Sequence, residues 1–475
     1  MNQSNYLNQK IFDVLYGFID LTAVEAEIIY SPYYQRLKWI KQVGFSFYSF
    51  PGAEHSRFAH SIGVMFNAHK IWQAIGKGVT DNYLFNSVHT DEQKDMHQSL
   101  RLAALLHDLG TFPFSHTTEM SYIEFGKNKK KNIDKGVSDD HEHLGSYIIK
   151  NSDYPGGITN ILKKYNIDPQ NVSNMVKGKS SSYLANSVLH SEVDCDRMDY
   201  LLRDAHYTGL KYGAYDRDYL LHHFTTTEVG GHEVFAIKEG AIHCVEDFLM
   251  SRFAWYSQVV RSSHGAMYDA IAEEITMFLL EKNYLPRYEE LLKAIDSKPH
   301  EFYNFYDSYF MHLLHKLYYD GVFKKESIRL HELAYAMLTG QGIRTIKCKE
   351  FGQKILNQDN LNEKEKVLKV TKEKIEEINQ VLKKHGGKED WLLVDLPQKD
   401  IVYTKSRKRL IKQSDKNNVL LERDPVKILT RESQLKLLTD MENSIINTLQ
   451  NSINYIPHVY ASYSAYDLLK SKKVI

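Results

Sequence analysis

The sequence predicts a mainly α protein with a small β-hairpin and a smaller C-terminal α+β lobe. Three observations point there. Long stretches carry apolar residues at helical spacing, as with Phe58, Ile62, Met65 and Phe66 in the run from Arg57 to about Gly76. Gly230-Gly231, set between TTTEV and HEVFAI, is the clearest hairpin signal. Between 390 and 421 the pattern turns mixed, with strand-like pieces at Trp391–Leu396 and Ile401–Tyr403.

The elements follow in order. Ile11–Leu21 reads as a short strand-like piece, and Ser31-Pro32 as a helix start, a serine cap followed by a proline whose φ suits the first turn. Leu37, Ile40 and Val43 continue that helix until Gly44. Asp91–Leu106 is an amphipathic helix with Leu100, Ala103, Ala104 and Leu106 inward, broken by Gly110 and Pro113. Residues 121–140 are polar and lysine-rich and read as an exposed insertion. Helix resumes over His141–Lys150 and Ile158–Tyr165, and another runs from Ser191 to about Tyr207, closing near Gly209. Helices dominate from Ala241 to about 340, residues 361–384 form a charged amphipathic helix, and Arg431–Asn451 reads as one more. The chain shows no internal repeat.

At 475 residues, 43% hydrophobic and 25% charged, the composition is globular and excludes wholesale disorder. Sixty Lys and Arg balance sixty Asp and Glu, so no overall basic field draws nucleic acid. Lys127–Lys131 reads as a solvated loop, a lid or a local patch for weak nucleic-acid contact, and Lys405–Arg409 as a solvated turn or a phosphate contact at a subunit interface. Only three cysteines occur, Cys195, Cys244 and Cys348, with no CxxC, which speaks against a zinc ribbon and for a reducing compartment. The N-terminal residues lack an apolar leader, and no run reaches membrane-spanning length. The expectation is a cytoplasmic protein without a membrane partner.

His60, the pair His107-Asp108 and Asp196 each sit on or at the end of a predicted helix. Two imidazoles and two carboxylates suit a divalent transition metal. In LAALLHD an apolar helix buries one face and delivers both members of the pair at its C-terminal end. Each residue alone has an ordinary structural explanation, a core histidine, a dipole-favoured helix end or a surface carboxylate.

The stretches YGFIDLTAVEAEIIYSPYYQRLKWIKQVG (16–44), FPGAEHSRFAHSIGV (50–64), LAALLHDLGTFPFSH (102–116), HEHLGS (141–146) and EVDCDRMDYLLRDAHYTG (192–209) occur in one order. In that order they resemble the HD-domain phosphohydrolases, and among them the deoxynucleoside triphosphate triphosphohydrolases. The resemblance implies an HD-domain helical core, with His60, His107, Asp108 and Asp196 binding one divalent metal ion per active site (Mg, Mn, Fe or Zn). It places the catalytic His/acid pair on His116 and Glu119, whose i,i+3 spacing lets the carboxylate orient the imidazole. His141 matches a further active-site histidine and Arg57 a phosphate-binding arginine. Tyr200 and Asp204 continue the helical stripe of Asp196 and match residues that pack on the sugar and bond its 3′-hydroxyl. Gln42 and Val43 match residues near the sugar and base.

Several positions depart from the family pattern. Thr111 stands where mammalian-type sequences carry another active-site histidine, and Tyr30 and Lys38 replace residues tied to guanine-specific activation. After Arg252 the chain reads Val259-Val260-Arg261-Ser262 instead of the expected Tyr-x-His, leaving Arg261 or His264 as substitutes. The implied function is metal-dependent conversion of a dNTP and water to deoxynucleoside and triphosphate. An activating nucleotide and a homo-oligomer, tetramer or hexamer, come with the resemblance. The alternatives are another HD phosphohydrolase, acting on monophosphates, cyclic nucleotides or alarmones, and a non-catalytic nucleotide or nucleic-acid sensor. The implied division is an HD catalytic core over 1–220, a hairpin and helical extension over 221–345, and a regulatory or oligomerising C-terminal lobe over 346–475.

Overall fold

The computed structural model describes residues 9–77, 90–129, 139–213, 215–357, 360–397, 401–405 and 419–475. Lys130, Lys131 and the basic residues 406–409 lie outside them. The chain opens with an antiparallel hairpin, β1 (Gln9–Asp13) and β2 (Gly17–Leu21), in the piece expected to be strand-like. Helix α1 (Ala23–Tyr30) follows, started by a reciprocal capping box between Thr22 and Glu25. The site-bearing helices are α2 (Arg57–Ala74), α3 (Asp91–Leu106), α4 (His116–Lys129), α5 (His141–Asn151) and α6 (Cys195–Thr208). Gly209, in the left-handed region at φ 76°, ends α6 as its position suggests.

Beyond them come the hairpin β3 (Phe224–Val229) and β4 (His232–Lys238), then α7 (Ile242–Trp255), α8 (Ser263–Glu281) and α9 (Asp307–Tyr319). The charged helix is α10 (Leu361–His385). One large apolar core spans the helices of the first two-thirds of the chain. A second, small core of Ile346, Phe351, Ile378, Leu382, Val459 and Leu469 lies in the C-terminal part. It sits beside two three-stranded antiparallel sheets that include the predicted strands at Leu392–Asp395 and Ile401–Val402.

Four local expectations fail for physical reasons. The helix expected up to Gly44 ends at Gln35 and tightens to a 3₁₀ turn over Arg36–Trp39. The backbone then turns to pair with the entry to α2, through Arg57 N to Ile40 O and Gln42 N to His55 O. The supposed exposed insertion is helix as far as Lys129, and Tyr122 and Phe125 on it are buried. The α6 helix starts at Cys195 rather than Ser191, because the Asp194 side chain caps it there. Most clearly, Arg431–Asn451 is not one helix. Its Leu435–Leu437 segment is a strand against Lys427–Leu429, which itself pairs in parallel with β4. The free edge of β4 supplies backbone partners that outweigh a helical spacing of leucines, and helix is confined to a 3₁₀ turn at Leu438–Asp440 and to Ile445–Leu449.

Two close approaches set how these helices meet. A Cβ on Gly110 would fall 2.3 Å from both the Gly145 amide nitrogen and the His141 carbonyl, so glycine lets α5 rest on the turn after His107-Asp108. A Cβ on Gly63 would fall 1.9 Å from the Asp199 carboxylate, so glycine also sets the spacing of α2 and α6.

Helix α3 is pinned by a buried ion pair. Arg101 donates from Nε and Nη2 to the two Glu25 oxygens at 2.7 Å each, and Gln98 adds a bond to Oε1 at 2.9 Å. Burial opposes ionisation of Glu25, but the charge and hydrogen bonds of Arg101, with those of Thr22 and Gln98, hold its carboxyl below the ordinary range. This contribution is therefore in place above the ordinary carboxylate range and is lost as pH falls through the lowered value. Glu25→Gln should cost about 3 kcal/mol or more, since it strands a buried guanidinium. The readout is a lower urea midpoint at unchanged m-value.

Candidate active site

Three helices converge on one point. Helix α2 presents His60, one turn after Arg57. Helix α3, with Leu100 and Leu102–Leu106 fully buried, hands over His107 and Asp108 at its end. Asp196 comes from the first turn of α6. His60 Nε2 lies 3.0 Å from Asp196 Oδ1 and 3.6 Å from Asp108 Oδ2. His107 Nε2 lies 3.4 Å from Asp108 Oδ2 and 3.8 Å from Asp196 Oδ1. The four expected metal ligands are thus brought together, with donor atoms of His60, His107 and Asp196 all within 4.8 Å of one another.

The tautomers follow from the other ring nitrogens. His107 Nδ1 is 2.8 Å from the Ala104 carbonyl, which can only accept, so Nδ1 carries the proton. His60 Nδ1 is 2.8 Å from Asp199 Oδ2. Both Nε2 atoms are buried without a hydrogen-bond partner, and both face carboxylate oxygens. Two orphaned imidazole nitrogens beside two carboxylates are the donor set a divalent cation satisfies. Without a cation, burial disfavours an imidazolium at His60, yet Asp196 and Asp199 lift it to about 9. Proton and metal then compete for the same lone pair.

A second cluster flanks the first. Glu119 bridges two imidazoles, with Oε2 2.6 Å from His116 Nδ1 and Oε1 2.6 Å from His141 Nδ1. Oε1 also accepts from the His141 amide at 2.7 Å. Burial would raise the Glu119 carboxyl, but His141 and His116 hold it well below its usual range. His141, disfavoured as a cation by burial, is lifted to about 10 by Glu119 and Asp108. His141 Nε2 is 3.9 Å from Asp108 Oδ1, which joins the two clusters, and His116 keeps a mostly exposed ring.

The expected substrate residues are more engaged than their sequence positions suggest. Arg57 is buried, with Nη1 on Asp108 Oδ2 at 2.7 Å, Nε on Ser115 Oγ at 2.9 Å and Nη2 on the Gln42 carbonyl at 3.2 Å. Gln42 is buried with Oε1 unpartnered, and Val43 beside it is half-buried. Asp204 is fully buried and accepts from His55 Nε2 at 2.7 Å and Trp255 Nε1 at 2.8 Å. Tyr200 packs on the Trp255 ring at 4.7 Å between centroids. Arg261, a candidate substitute for the missing phosphate contact, instead forms an ion pair with Asp395 Oδ2 and donates to the Ile456 carbonyl in the C-terminal part. The departing stretch Tyr256–Val260 is a π-helical turn.

Sequence inspection passed over Arg36, His55, Asp199, Trp255 and Asp307. Asp199 stood one turn after Asp196, on the same helix face, and could have been proposed as the orienting partner of a ligand histidine. His55, two residues before Arg57, and Arg36 stood inside the quoted stretches without a spacing that marked them, and Trp255 and Asp307 reach the site from distant segments.

The HD-domain family profile matches residues 57–204, which include His60, His107, Asp108 and Asp196. The chain therefore carries an HD domain over these residues. Over 227 residues it is 35% identical to the uncharacterized protein YwfO of Bacillus subtilis, covering 48% of this chain and 45% of that protein. Over 224 residues it is 28% identical to the Homo sapiens deoxynucleoside triphosphate triphosphohydrolase SAMHD1, covering 42% of this chain and 33% of that enzyme. This HD protein spans about half the length of the curated relatives it matches first. Its fold follows that of a hypothetical protein from Aquifex aeolicus, at a TM-score of 0.66 and 21% identity over 98% of this chain and 99% of that one. A phosphohydrolase from Bacteroides thetaiotaomicron gives a TM-score of 0.62 at 19% identity, covering 96% and 99%. No helix among the described residues is long and apolar enough to cross a membrane.

Asp199→Ala should lower divalent-metal affinity roughly 10- to 100-fold, because it frees the His60 ring to turn. Titration of metal-stripped protein with Mn²⁺ measures this, and an unchanged affinity would count against Asp199 as the orienting group.

Proposed function

We propose that this HD protein is a metal-dependent dNTP triphosphohydrolase. One observation carries the hydrolase part: the two orphaned imidazole nitrogens beside Asp108 and Asp196, with the Glu119-bridged histidines adjoining them. His60, His107, Asp108 and Asp196 would hold the cation. When bound, such a cation neutralises phosphate charge and lowers the pKa of water.

The chain's own residues do the rest. Glu119 fixes the His116 ring through Nδ1, so that Nε2 is turned toward the reacting phosphate and can transfer a proton there. His141, held cationic by Glu119 and Asp108, offers Nε2 to a phosphoryl oxygen whose charge grows during the reaction. Water adds at the α-phosphorus, the bond to the sugar 5′-oxygen breaks, and the leaving oxygen takes a proton. Products are deoxynucleoside and triphosphate.

The dNTP part is supported by the Tyr200–Asp204 stripe and by the partial similarity to the human triphosphohydrolase. Each carboxylate oxygen has two lone pairs, so Asp204 can accept from a sugar 3′-hydroxyl while keeping His55 and Trp255. In this reading Tyr200 would close the sugar's other side, and Gln42 and Val43 would meet the sugar and base. Arg57 acts through Asp108 and Ser115 in the described arrangement, and a direct phosphate bond requires it to exchange one of those partners. A homo-oligomer and an activating nucleotide extend the same proposal.

The decisive measurement is chromatographic product analysis with Mg²⁺ or Mn²⁺, using each dNTP singly and mixed, with rNTPs alongside. Deoxynucleoside plus triphosphate is expected, lost in His107→Ala. Turnover only in mixtures would mark an activating nucleotide, and sedimentation of the same samples would report assembly. Orthophosphate or pyrophosphate as product would reassign the substrate class. Binding without turnover would favour the sensor alternative. Glu119→Gln, which leaves both imidazoles without their charged partner, should lower kcat by about 10²- to 10⁴-fold, with metal content unchanged.

A further inference from the structure

His116 is delivered by an unusual turn. Phe114 and Ser115, neither of them glycine, both adopt left-handed backbone at φ 56° and 59°. Side chains rarely take that conformation once, let alone twice in succession, and it persists only where surroundings over-determine it. The surroundings here are specific. The Phe114 amide donates to Asp307 Oδ1 at 2.6 Å, and the Lys41 amide donates to Asp307 Oδ2 at 2.9 Å. Ser115 Oγ donates to the Lys41 carbonyl at 2.6 Å and accepts from Arg57 Nε at 2.9 Å. One buried carboxylate therefore ties the turn before His116 to the segment carrying Gln42 and Val43.

Asp307 does not serve its own helix in this arrangement. It lies in the first turn of α9, yet both oxygens are bound to amides of two other segments, and Asp307 itself lies outside residues 57–204. Its neighbourhood is tied down in the same way. Arg36 donates to the Phe305 carbonyl at 2.7 Å and to the Leu109 and Thr111 carbonyls at 2.9 Å each. The start of α9 is thereby fixed to the loop that joins Asp108 to His116. Burial raises the Asp307 carboxyl to about 7 despite the two amide donors and the nearby charges of Lys41 and Arg36.

We propose that Asp307 is a positioning residue, holding the left-handed Phe114–Ser115 turn that sets His116 against the metal-binding cluster. The catalytic consequence rests on the hydrolase proposal above, whereas the clamp itself does not. The test therefore has two arms.

In the first, hydrogen–deuterium exchange followed by mass spectrometry compares wild type, Asp307→Asn and Asp307→Ala. Exchange at residues 113–118 should speed at least tenfold in Asp307→Ala and less in Asp307→Asn, which keeps one acceptor. Residues 57–66 and 195–208 should be unaffected. In the second arm, kcat for dNTP hydrolysis should fall roughly 10- to 100-fold in Asp307→Ala, as expected for a displaced catalytic group. KM and bound metal should stay within about twofold of wild type. In a Ser115→Gly background the Asp307→Ala penalty should shrink to below about threefold, because glycine takes the left-handed conformation without strain. Unchanged exchange at 113–118 would overturn the proposal. So would a penalty of equal size with and without Ser115→Gly, or a loss of kcat matched by loss of metal. If wild type turns over no dNTP, the triphosphohydrolase proposal fails, and the exchange arm still decides the clamp.

Discussion

The Asp199 carboxylate is the contact on which the site's geometry depends. It accepts from His60 Nδ1 at 2.8 Å and from Arg203 Nε and Nη2 at 2.8 and 2.9 Å. Arg203 in turn reaches Asp13 of the opening hairpin at 3.0 Å. All of these groups are buried, so each must be paired, and the pairing leaves little freedom in how α2 meets α6. Gly63 is what allows the helices to come close enough. His60 and Asp196, on different helices, are held face to face by a carboxylate one turn further along.

From that contact the electrostatics of the site follow. Fixing Nδ1 of each histidine, by Asp199 for His60 and by the Ala104 carbonyl for His107, turns both Nε2 lone pairs inward. Asp108 meets both nitrogens and is also held by Arg57. Glu119 then shares one negative charge between two imidazoles beside the same cluster. A low-dielectric setting makes each of these pairings stronger and each unpaired nitrogen more costly, which favours a bound cation. Two left-handed residues before His116, costing on the order of 1–2 kcal/mol each, are tolerated because the Asp307 and Arg57 side chains and the Lys41 backbone carbonyl hold them.

Much of the architecture was legible because helices announce themselves locally. Thr90 and Gln93 box the start of α3 at the position the sequence suggests, so local sequence and structure agree there. The four metal-ligand candidates were legible for a related reason: each sits at a helix position that a short motif marks. In two of the failed expectations a distant partner intervened. Residues 431–451 have leucines at helical spacing, but the β4 edge captures their neighbours as strands. The stretch after Gln35 abandons helix because its amides and carbonyls find the segment before α2.

The sequence by itself determined the helical class, the hairpin at Gly230-Gly231 and the identity of the residues able to bind a metal. Those properties depend on spacing, capping and side-chain chemistry, all of which act over a few residues. Only the tertiary structure decided that Arg57 faces Asp108 and Ser115, that His55 and Trp255 occupy Asp204, and that Asp307 reaches the turn before His116 from 190 residues away. Such contacts satisfy buried polar groups, and which groups become buried together is set by how the helices pack. No local periodicity carries that information.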